Sequence, residues 1–129
     1  MDVKPAQHFI DGQFVDGQSG KTFATVNPAD QRPITTVAEG LAADIDRAVR
    51  AARRAFNEGP WARGGRAADR ARLLRRVGDL INKHGDQLAY LETMDTGLPI
   101  KQARGQAARA AENFYFFAEM ATRMTGESF

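Results

Sequence analysis

The chain has 129 residues and a formal net charge of +2, which fits one ordinary domain and demands no polyanionic partner. Alanine supplies 22 of the residues, whereas Leu, Ile, Val and Phe together supply 26, so little bulky apolar volume is available for an independent core. Because cysteine is absent, a disulfide, a thiolate metal site and a cysteine nucleophile are excluded within these residues.

The start of the chain has no signal-peptide pattern, since it lacks an unbroken apolar stretch. No apolar run reaches the roughly eighteen residues that a membrane span requires. We therefore expect a cytoplasmic protein with no membrane segment.

Two β-hairpins are predicted within residues 1–40. The first joins the apolar segments HFI and QFVD through Asp11 and Gly12, a dipeptide suited to the positive φ angles of a tight turn. The second joins Thr22–Val26 to Ile34–Ala38 through the turn segment NPAD.

A first helix is predicted to begin near Asp44, a favourable N-cap residue, and to end near Gly59. Its apolar side chains recur at helical spacing from Ile45 to Phe56 and form one continuous stripe. Arginines occupy the other sides, which is typical of an amphipathic surface helix.

Two further helices follow in the sequence. One is predicted to run from about Ala67 to Lys83 and to stop at Gly85. Asp86 is predicted to cap a shorter helix, which stops at Gly97 just before a proline.

The last predicted helix extends towards Met124 and carries four successive aromatic residues, Phe114–Phe117. Gly105 weakens this helix by about 1 kcal/mol relative to alanine, so a break there is one alternative. Four successive aromatic side chains surround a helix on all sides, and the preceding elements are too few to cover them. We therefore expect part of the protein to lie beyond Phe129.

Two segments imitate phosphate-binding motifs. Residues 12–19, GQFVDGQS, resemble a phosphate-binding loop, but glutamine replaces its lysine and no helix follows. This segment is therefore better interpreted as a hairpin with its exit turn.

Ten arginines lie from Arg47 to Arg76, whereas the same stretch contains only two acidic residues, Glu58 and Asp69. Such an excess of positive charge is compatible with nucleic-acid binding. No aromatic stacking platform interleaves them, so the solvated sides of alanine-rich helices are the favoured interpretation.

Few other side chains indicate catalysis. His8 and His84 are far apart, with no second histidine at ligand spacing, which argues against a transition-metal site. Neither serine lies in a nucleophile elbow. Glu92 and Asp95 share a helical face and form a candidate acid and base pair or cation site, with surface solvation as the alternative.

Five segments follow one another in the order FIDGQFVDGQSGKTFATVNPAD, TVAEG, DIDRAVRAARRAF, RLLRRVGDLI and LETMDTGLPI. In this order and spacing they resemble the amino-terminal part of the aldehyde dehydrogenase superfamily over essentially the whole chain. The segments DTGLPI and ENFYFFAE are most similar to semialdehyde dehydrogenases of aromatic catabolism, notably the 5-carboxymethyl-2-hydroxymuconate semialdehyde dehydrogenases.

The resemblance implies an α/β fold in which short amino-terminal β-hairpins precede three to four helices that pack on a Rossmann-like NAD-binding domain. Residues 1–129 would then be the amino-terminal portion of that domain, without the catalytic domain. Strands are expected in 1–40, helices in 41–125 and the lead into an oligomerisation arm in 126–129. The implied partners are the remainder of the polypeptide and further copies in a homodimer or homotetramer.

Members of this superfamily oxidise an aldehyde to a carboxylic acid with NAD or NADP. A cysteine thiolate attacks the aldehyde, an asparagine side chain and a backbone N–H stabilise the oxyanion, and a glutamate activates water. The resemblance places these groups and the cofactor contacts outside this sequence, so no catalytic or cofactor-binding residue is assigned and the isolated chain is expected to be inactive.

One site carries over from the resemblance. Relatives bind a monovalent cation through backbone oxygens just before an Asn-Pro pair and through the aspartate of an ETxDTG motif, which here correspond to Thr25, Val26 and Asp95. Carbonyl and carboxylate oxygens are hard ligands suited to Na⁺ or K⁺. The alternative function is a non-catalytic, arginine-rich helical module that binds nucleic acid or an acidic protein.

Overall fold

The computed structural model describes residues 3–61 and 65–123, and these ranges contain four β-strands and four α-helices. The chain divides into two compact units, Met1–Arg63 and Gly64–Phe129. The first unit holds the four strands and one helix, and the second holds three helices.

The first hairpin of the amino-terminal unit pairs β1, His8–Ile10, with β2, Gln13–Val15, in antiparallel register. Asp11 and Gly12 form its two-residue turn with φ angles of 56° and 80°. Positive φ at both turn positions matches the right-handed twist of the flanking strands, so the predicted turn dipeptide is confirmed.

The second hairpin pairs β3, Thr22–Val26, with β4, Pro33–Ala38, also antiparallel. The register shifts between Thr25 and Val26, because Thr25 lies opposite Thr35 whereas Val26 lies opposite Pro33. Ile34 is therefore the additional residue of a β-bulge. β4 starts at Pro33, one residue earlier than the sequence predicts.

The helix of the amino-terminal unit, α1, spans Ala42–Glu58 and is followed by Gly59 as its C-cap. The prediction that Asp44 is the N-cap is wrong, because Leu41 occupies that position and Asp44 is the third helical residue. The Asp44 carboxylate instead reaches back and accepts the N–H of Leu41 at 3.2 Å. It thereby satisfies a backbone donor outside the helix from within the first turn.

The carboxy-terminal unit consists of α2, Ala67–Lys83, α3, Gly85–Thr96, and α4, Ile100–Met120. The bounds of α2 agree with the sequence, and Gly97 ends α3 in the left-handed conformation with a φ of 76°, as predicted. The end predicted for α4 at Met124 lies outside the described residues.

Two cap predictions at the α2–α3 junction are wrong. His84 serves as the C-cap of α2 and the N-cap of α3, so Gly85 begins a helix rather than ending one. The Asp86 carboxylate accepts a hydrogen bond from Arg104 Nε at 2.9 Å and makes no cap. Asp86 lies inside the first turn of α3, and its carboxylate pairs with the positively charged side chain of Arg104 on α4.

The predicted weak point at Gly105 does not break α4, which continues through it. A single exposed glycine costs only about 1 kcal/mol in a helix interior, and packing of the helix against its neighbours outweighs this cost. α4 packs on both α2 and α3.

Small residues fill the interior of the helical unit. Within residues 65–123, the buried apolar side chains are alanines, namely Ala71, Ala89, Ala103, Ala111 and Ala118. Larger apolar side chains remain on the surface, and Phe116 and Phe117 are 58% and 60% exposed. Alanine at the contact allows the helices to approach closely but buries little apolar area, so bulky faces are left uncovered.

Candidate functional site

The residues predicted to supply backbone ligands lie at the end of β3 in the amino-terminal unit. Thr25 is half-buried, and its Oγ1 donates a long hydrogen bond of 3.5 Å to the carbonyl of Thr35. Val26 is exposed and lies opposite Pro33, which has no N–H to offer to its pairing partner. A bulge and a proline therefore interrupt the ladder at the two predicted ligand positions.

Asp95, the predicted carboxylate ligand, lies in the last turn of α3 in the carboxy-terminal unit. It is exposed and has no hydrogen-bond or ion-pair partner among the residues that the structure describes. The last turn of α3 contains no basic residue. Since the carboxyl end of a helix carries partial negative charge, this carboxylate attracts a cation.

The end of α3 is held rigid around Asp95. Thr96 donates its hydroxyl hydrogen to the carbonyl of Glu92 at 2.7 Å, and the N–H of Gly97 donates to the carbonyl of Thr93 at 3.0 Å. The N–H of Leu98 donates a hydrogen bond to Thr96 Oγ1 at 3.2 Å. These bonds fix the backbone of the ETMDTG segment and do not involve the Asp95 carboxylate.

Two polar residues beside the predicted ligands were missed by sequence reasoning. The Oγ1 of Thr93 is buried with no hydrogen-bond partner in the described residues. Asn27, directly after Val26, is only 9% exposed. Buried polar groups are normally satisfied, and the described residues supply no partner for the Thr93 hydroxyl.

Glu92 and Asp95 do not converge on a shared cavity. Glu92 borders an open depression of about 270 Å³ in the helical unit, together with Leu88, Gln106 and several alanines, whereas Asp95 does not line it. The depression is mostly apolar, and its described lining holds no second titratable group. This separation disfavours the interpretation of the two carboxylates as an acid and base pair.

The glycine-rich segment of residues 12–19 belongs to the first hairpin and its exit, as the favoured interpretation of this segment predicts. Gly12 completes the turn and residues 13–15 form β2. The exit is tied to α1, because the Asp44 Oδ1 accepts the N–H of Gln18 at 3.0 Å. The next element along the chain is β3, so no helix N-terminus follows the segment to receive a phosphate.

Asp44 is the buried carboxylate of the amino-terminal unit, with 2% exposure. Hydrogen bonds from the N–H groups of Leu41 and Gln18 lower its pKa below the ordinary value of 3.8, and burial opposes this shift in part. An ionised carboxylate that joins a loop to a helix terminus has a structural role.

Among the described residues, three of the arginines between Arg47 and Arg76 pair with nearby carboxylates. Arg54 binds Asp11 in the hairpin turn at 2.8 Å, Arg50 binds Asp46 at 2.6 Å, and Arg72 binds Asp69 at 2.7 Å. Each pair is exposed and contributes little to stability. Their partial neutralisation disfavours the alternative of a nucleic-acid-binding helical module.

Clusters with three or more His, Cys, Asp or Glu side chains at metal-binding distance do not occur within residues 3–61 and 65–123. In the same ranges, no helix combines the length and apolarity needed to cross a membrane. His8 belongs to the strand-rich unit and His84 to the helical unit.

Comparison with known proteins identifies the family. The sequence profile of the aldehyde dehydrogenase family matches residues 14–129. The chain therefore belongs to the aldehyde dehydrogenase family, whose members are oxidoreductases that act on aldehydes with NAD or NADP. Its hairpins and helices correspond to the amino-terminal part of that fold, as the resemblance implies.

The relatives are similar over nearly the whole of this chain. Aldehyde dehydrogenase 1 of Tanacetum cinerariifolium is 44% identical over 126 residues, which are 97% of this chain and 25% of that protein. The mitochondrial aldehyde dehydrogenase family 2 member B4 of Arabidopsis thaliana is 45% identical over 98% of this chain and 23% of its own length. The chain thus spans about a quarter of the length of these relatives.

Solved structures of aldehyde dehydrogenases are also similar to nearly the whole of this chain. HpcC from Thermus thermophilus matches with a TM-score of 0.89 and 44% identity, over 97% of this chain and 24% of that chain. The aldehyde dehydrogenase of Bacillus cereus, solved as its NAD⁺ complex, matches with a TM-score of 0.89 and 40% identity, over 97% of this chain and 26% of its own.

Proposed function

We propose that these 129 residues are the amino-terminal portion of the NAD-binding domain of an NAD- or NADP-dependent aldehyde dehydrogenase, and that the whole enzyme oxidises an aldehyde to a carboxylic acid. The observation that carries this proposal is the match along the whole chain to about a quarter of each relative. The uncovered apolar side chains support it, because exposed aromatic surface is costly in water and the remainder of a complete enzyme would cover it.

We further propose a semialdehyde of aromatic catabolism as the substrate class, as for 5-carboxymethyl-2-hydroxymuconate semialdehyde dehydrogenases. The similarity of the DTGLPI and ENFYFFAE segments to such enzymes supports this assignment. The whole enzyme would be a cytoplasmic homodimer or homotetramer.

The function is tested by assaying NADH and NADPH formation with the 129-residue chain and with the complete enzyme that contains it. We expect no aldehyde-dependent reduction of either cofactor by the chain alone, since it has no cysteine to form the covalent intermediate. The complete enzyme should prefer a carboxylated aromatic-ring-cleavage semialdehyde to betaine aldehyde and acetaldehyde. Turnover by the chain alone would contradict the proposal.

We also propose that the backbone oxygens of Thr25 and Val26 and the carboxylate of Asp95 are ligands of Na⁺ or K⁺ in the complete enzyme. The donor set fits, because carbonyl and carboxylate oxygens are the ligands that hard cations prefer. The carboxylate of Asp95, which lies at a helix end and has no partner among the described residues, supports the assignment. At least one further ligand is expected from outside this sequence.

The cation proposal is tested with Asp95→Asn and the matched variant Glu92→Gln, which removes a carboxylate from the same helix. Stability of the complete enzyme should rise with Na⁺ or K⁺ concentration, as binding to the native state requires. We expect Asp95→Asn to abolish this rise and Glu92→Gln to retain it. Equal responses of the two variants would refute the site.

A further inference from the structure

Asn27, the residue after Val26, closes the loop between β3 and β4. Its side-chain Oδ1 accepts the N–H of Ala29 at 2.9 Å, and its carbonyl accepts the N–H of Gln31 at 2.8 Å. Its own N–H donates to the carbonyl of Arg32 at 2.9 Å. The side chain is almost fully buried, so these bonds are shielded from competing water.

These bonds determine where the Val26 carbonyl points. The C=O of Val26 and the N–H of Asn27 belong to one planar peptide group, which is trans, and the two bonds point in opposite directions. Since the N–H is directed at Arg32, next to the start of β4, the C=O is directed away from β4.

The loop between β3 and β4 contains a strained backbone conformation, which hydrogen bonds within the loop must stabilise. Gln31 has a φ of 60°, in the left-handed region that non-glycine residues seldom adopt. The Oδ1 of Asn27 takes the place of a backbone carbonyl in a side-chain turn over Pro28, which an alanine at position 27 cannot do.

We infer that Asn27 is a positioning residue for cation binding: its side-chain Oδ1 holds the loop so that the Val26 carbonyl is presented to Na⁺ or K⁺. The inference rests on the proposed cation ligands and adds a residue that does not itself touch the ion. An outer group that orients a ligand typically changes metal affinity by about ten- to a hundredfold.

The experiment measures ²³Na⁺ binding by NMR line broadening on the complete enzyme, without cofactor or aldehyde, so that the readout is independent of catalysis. Three variants are compared with the wild type. Asn27→Ala removes the Oδ1 acceptor, and Asn27→Asp keeps an acceptor at the same place. Asn82→Ala is the matched control, because it removes an asparagine bond of 3.2 Å to the Tyr115 hydroxyl on the helical unit.

We expect Asn27→Ala to weaken Na⁺ binding by about tenfold or more, with binding retained in Asn27→Asp and in Asn82→Ala. Wild-type affinity in Asn27→Ala would overturn the inference. Equal weakening in Asn27→Ala and Asn27→Asp would also overturn it, since the acceptor would then be irrelevant. If the wild type itself binds no Na⁺, the proposed cation site fails and this inference fails with it.

Discussion

Gly78 in α2 lies directly against the ring of Tyr115 in α4, so closely that a β-carbon at position 78 would lie 2.6 Å from the ring Cε1. The Tyr115 hydroxyl donates to Asp79 Oδ1 at 3.0 Å and accepts from Asn82 Nδ2 at 3.2 Å. One aromatic side chain thus joins two helices through a close backbone contact and two hydrogen bonds. The contact requires glycine for space rather than for its backbone freedom.

This relationship predicts opposite effects for two glycine-to-alanine substitutions. Gly78→Ala should destabilise the α2–α4 contact by about 1–3 kcal/mol, as overpacking does. Gly105→Ala should stabilise α4 by about 0.5–1 kcal/mol, since its β-carbon would meet no atom within 4 Å. Amide hydrogen exchange in α2 and α4 measures both changes. Equal effects of the two substitutions would show that helix propensity alone is at work.

The environment of Tyr115 predicts a loss of stability in alkali. Burial, followed by the hydrogen bond to Asp79, raises the pKa of Tyr115 above its ordinary value of 10.0. The folded state therefore holds the phenol proton more tightly than the unfolded state, and stability present below about pH 10 is lost as the pH rises through the folded pKa.

The measurement is the thermal midpoint of the helical unit at neutral pH and above about pH 10. Tyr115→Phe should lose less stability between the two conditions than the wild type, because no phenol remains to ionise. Tyr90→Phe, which removes the other tyrosine of the chain, should behave as the wild type does. An alkaline loss that Tyr115→Phe retains in full would contradict this account.

Asp44 predicts the opposite pH dependence in the amino-terminal unit. Its pKa lies below the ordinary value of 3.8, so its contribution to stability is complete above that pH and is lost as the pH falls through the folded pKa. Asp44→Asn should therefore lower the thermal midpoint at neutral pH, and this difference should shrink in acid. Asp46→Asn, which removes only an exposed pair with Arg50, should change little at either pH.

Local sequence chemistry was sufficient for the turns and for most helix bounds. Asp11 and Gly12 adopt positive φ because their own residue types favour it, and Gly97 ends α3 for the same reason. The caps at Asp44 and Asp86 were predicted wrongly because both helices begin earlier than expected, at Ala42 and Gly85, and the two carboxylates also bind residues distant in sequence, Gln18 and Arg104 respectively. Cap prediction from neighbouring residue types does not take such distant partners into account.

The candidate site was only partly predictable for a similar reason. The motif resemblance predicts Thr25, Val26 and Asp95 as ligands, but it does not indicate the residues around them that hold the backbone. The opposition of Val26 and Pro33 depends on a bulge that shifts the register by one residue, and the burial of Asn27 depends on the loop that this bulge begins. Pairing geometry of this kind follows from the folded hairpin rather than from residue types.

The exposed aromatic residues of α4 predict that the 129-residue chain binds hydrophobic dyes and aggregates. Phe116 and Phe117 contact each other edge to face, with ring centroids 5.3 Å apart, and both are more than half exposed. Exposed aromatic surface binds hydrophobic dyes and drives association.

We expect a double Phe116→Ser, Phe117→Ser variant to bind less dye and to aggregate less than the wild-type chain. Its helix content, measured by circular dichroism, should be unchanged. Phe114→Ser is the matched control, because the half-buried Phe114 should support the helix contacts and its removal should lower helix content instead. Undiminished dye binding by the double variant would place the sticky surface elsewhere, with the exposed side chains of α1 as the next surface to test.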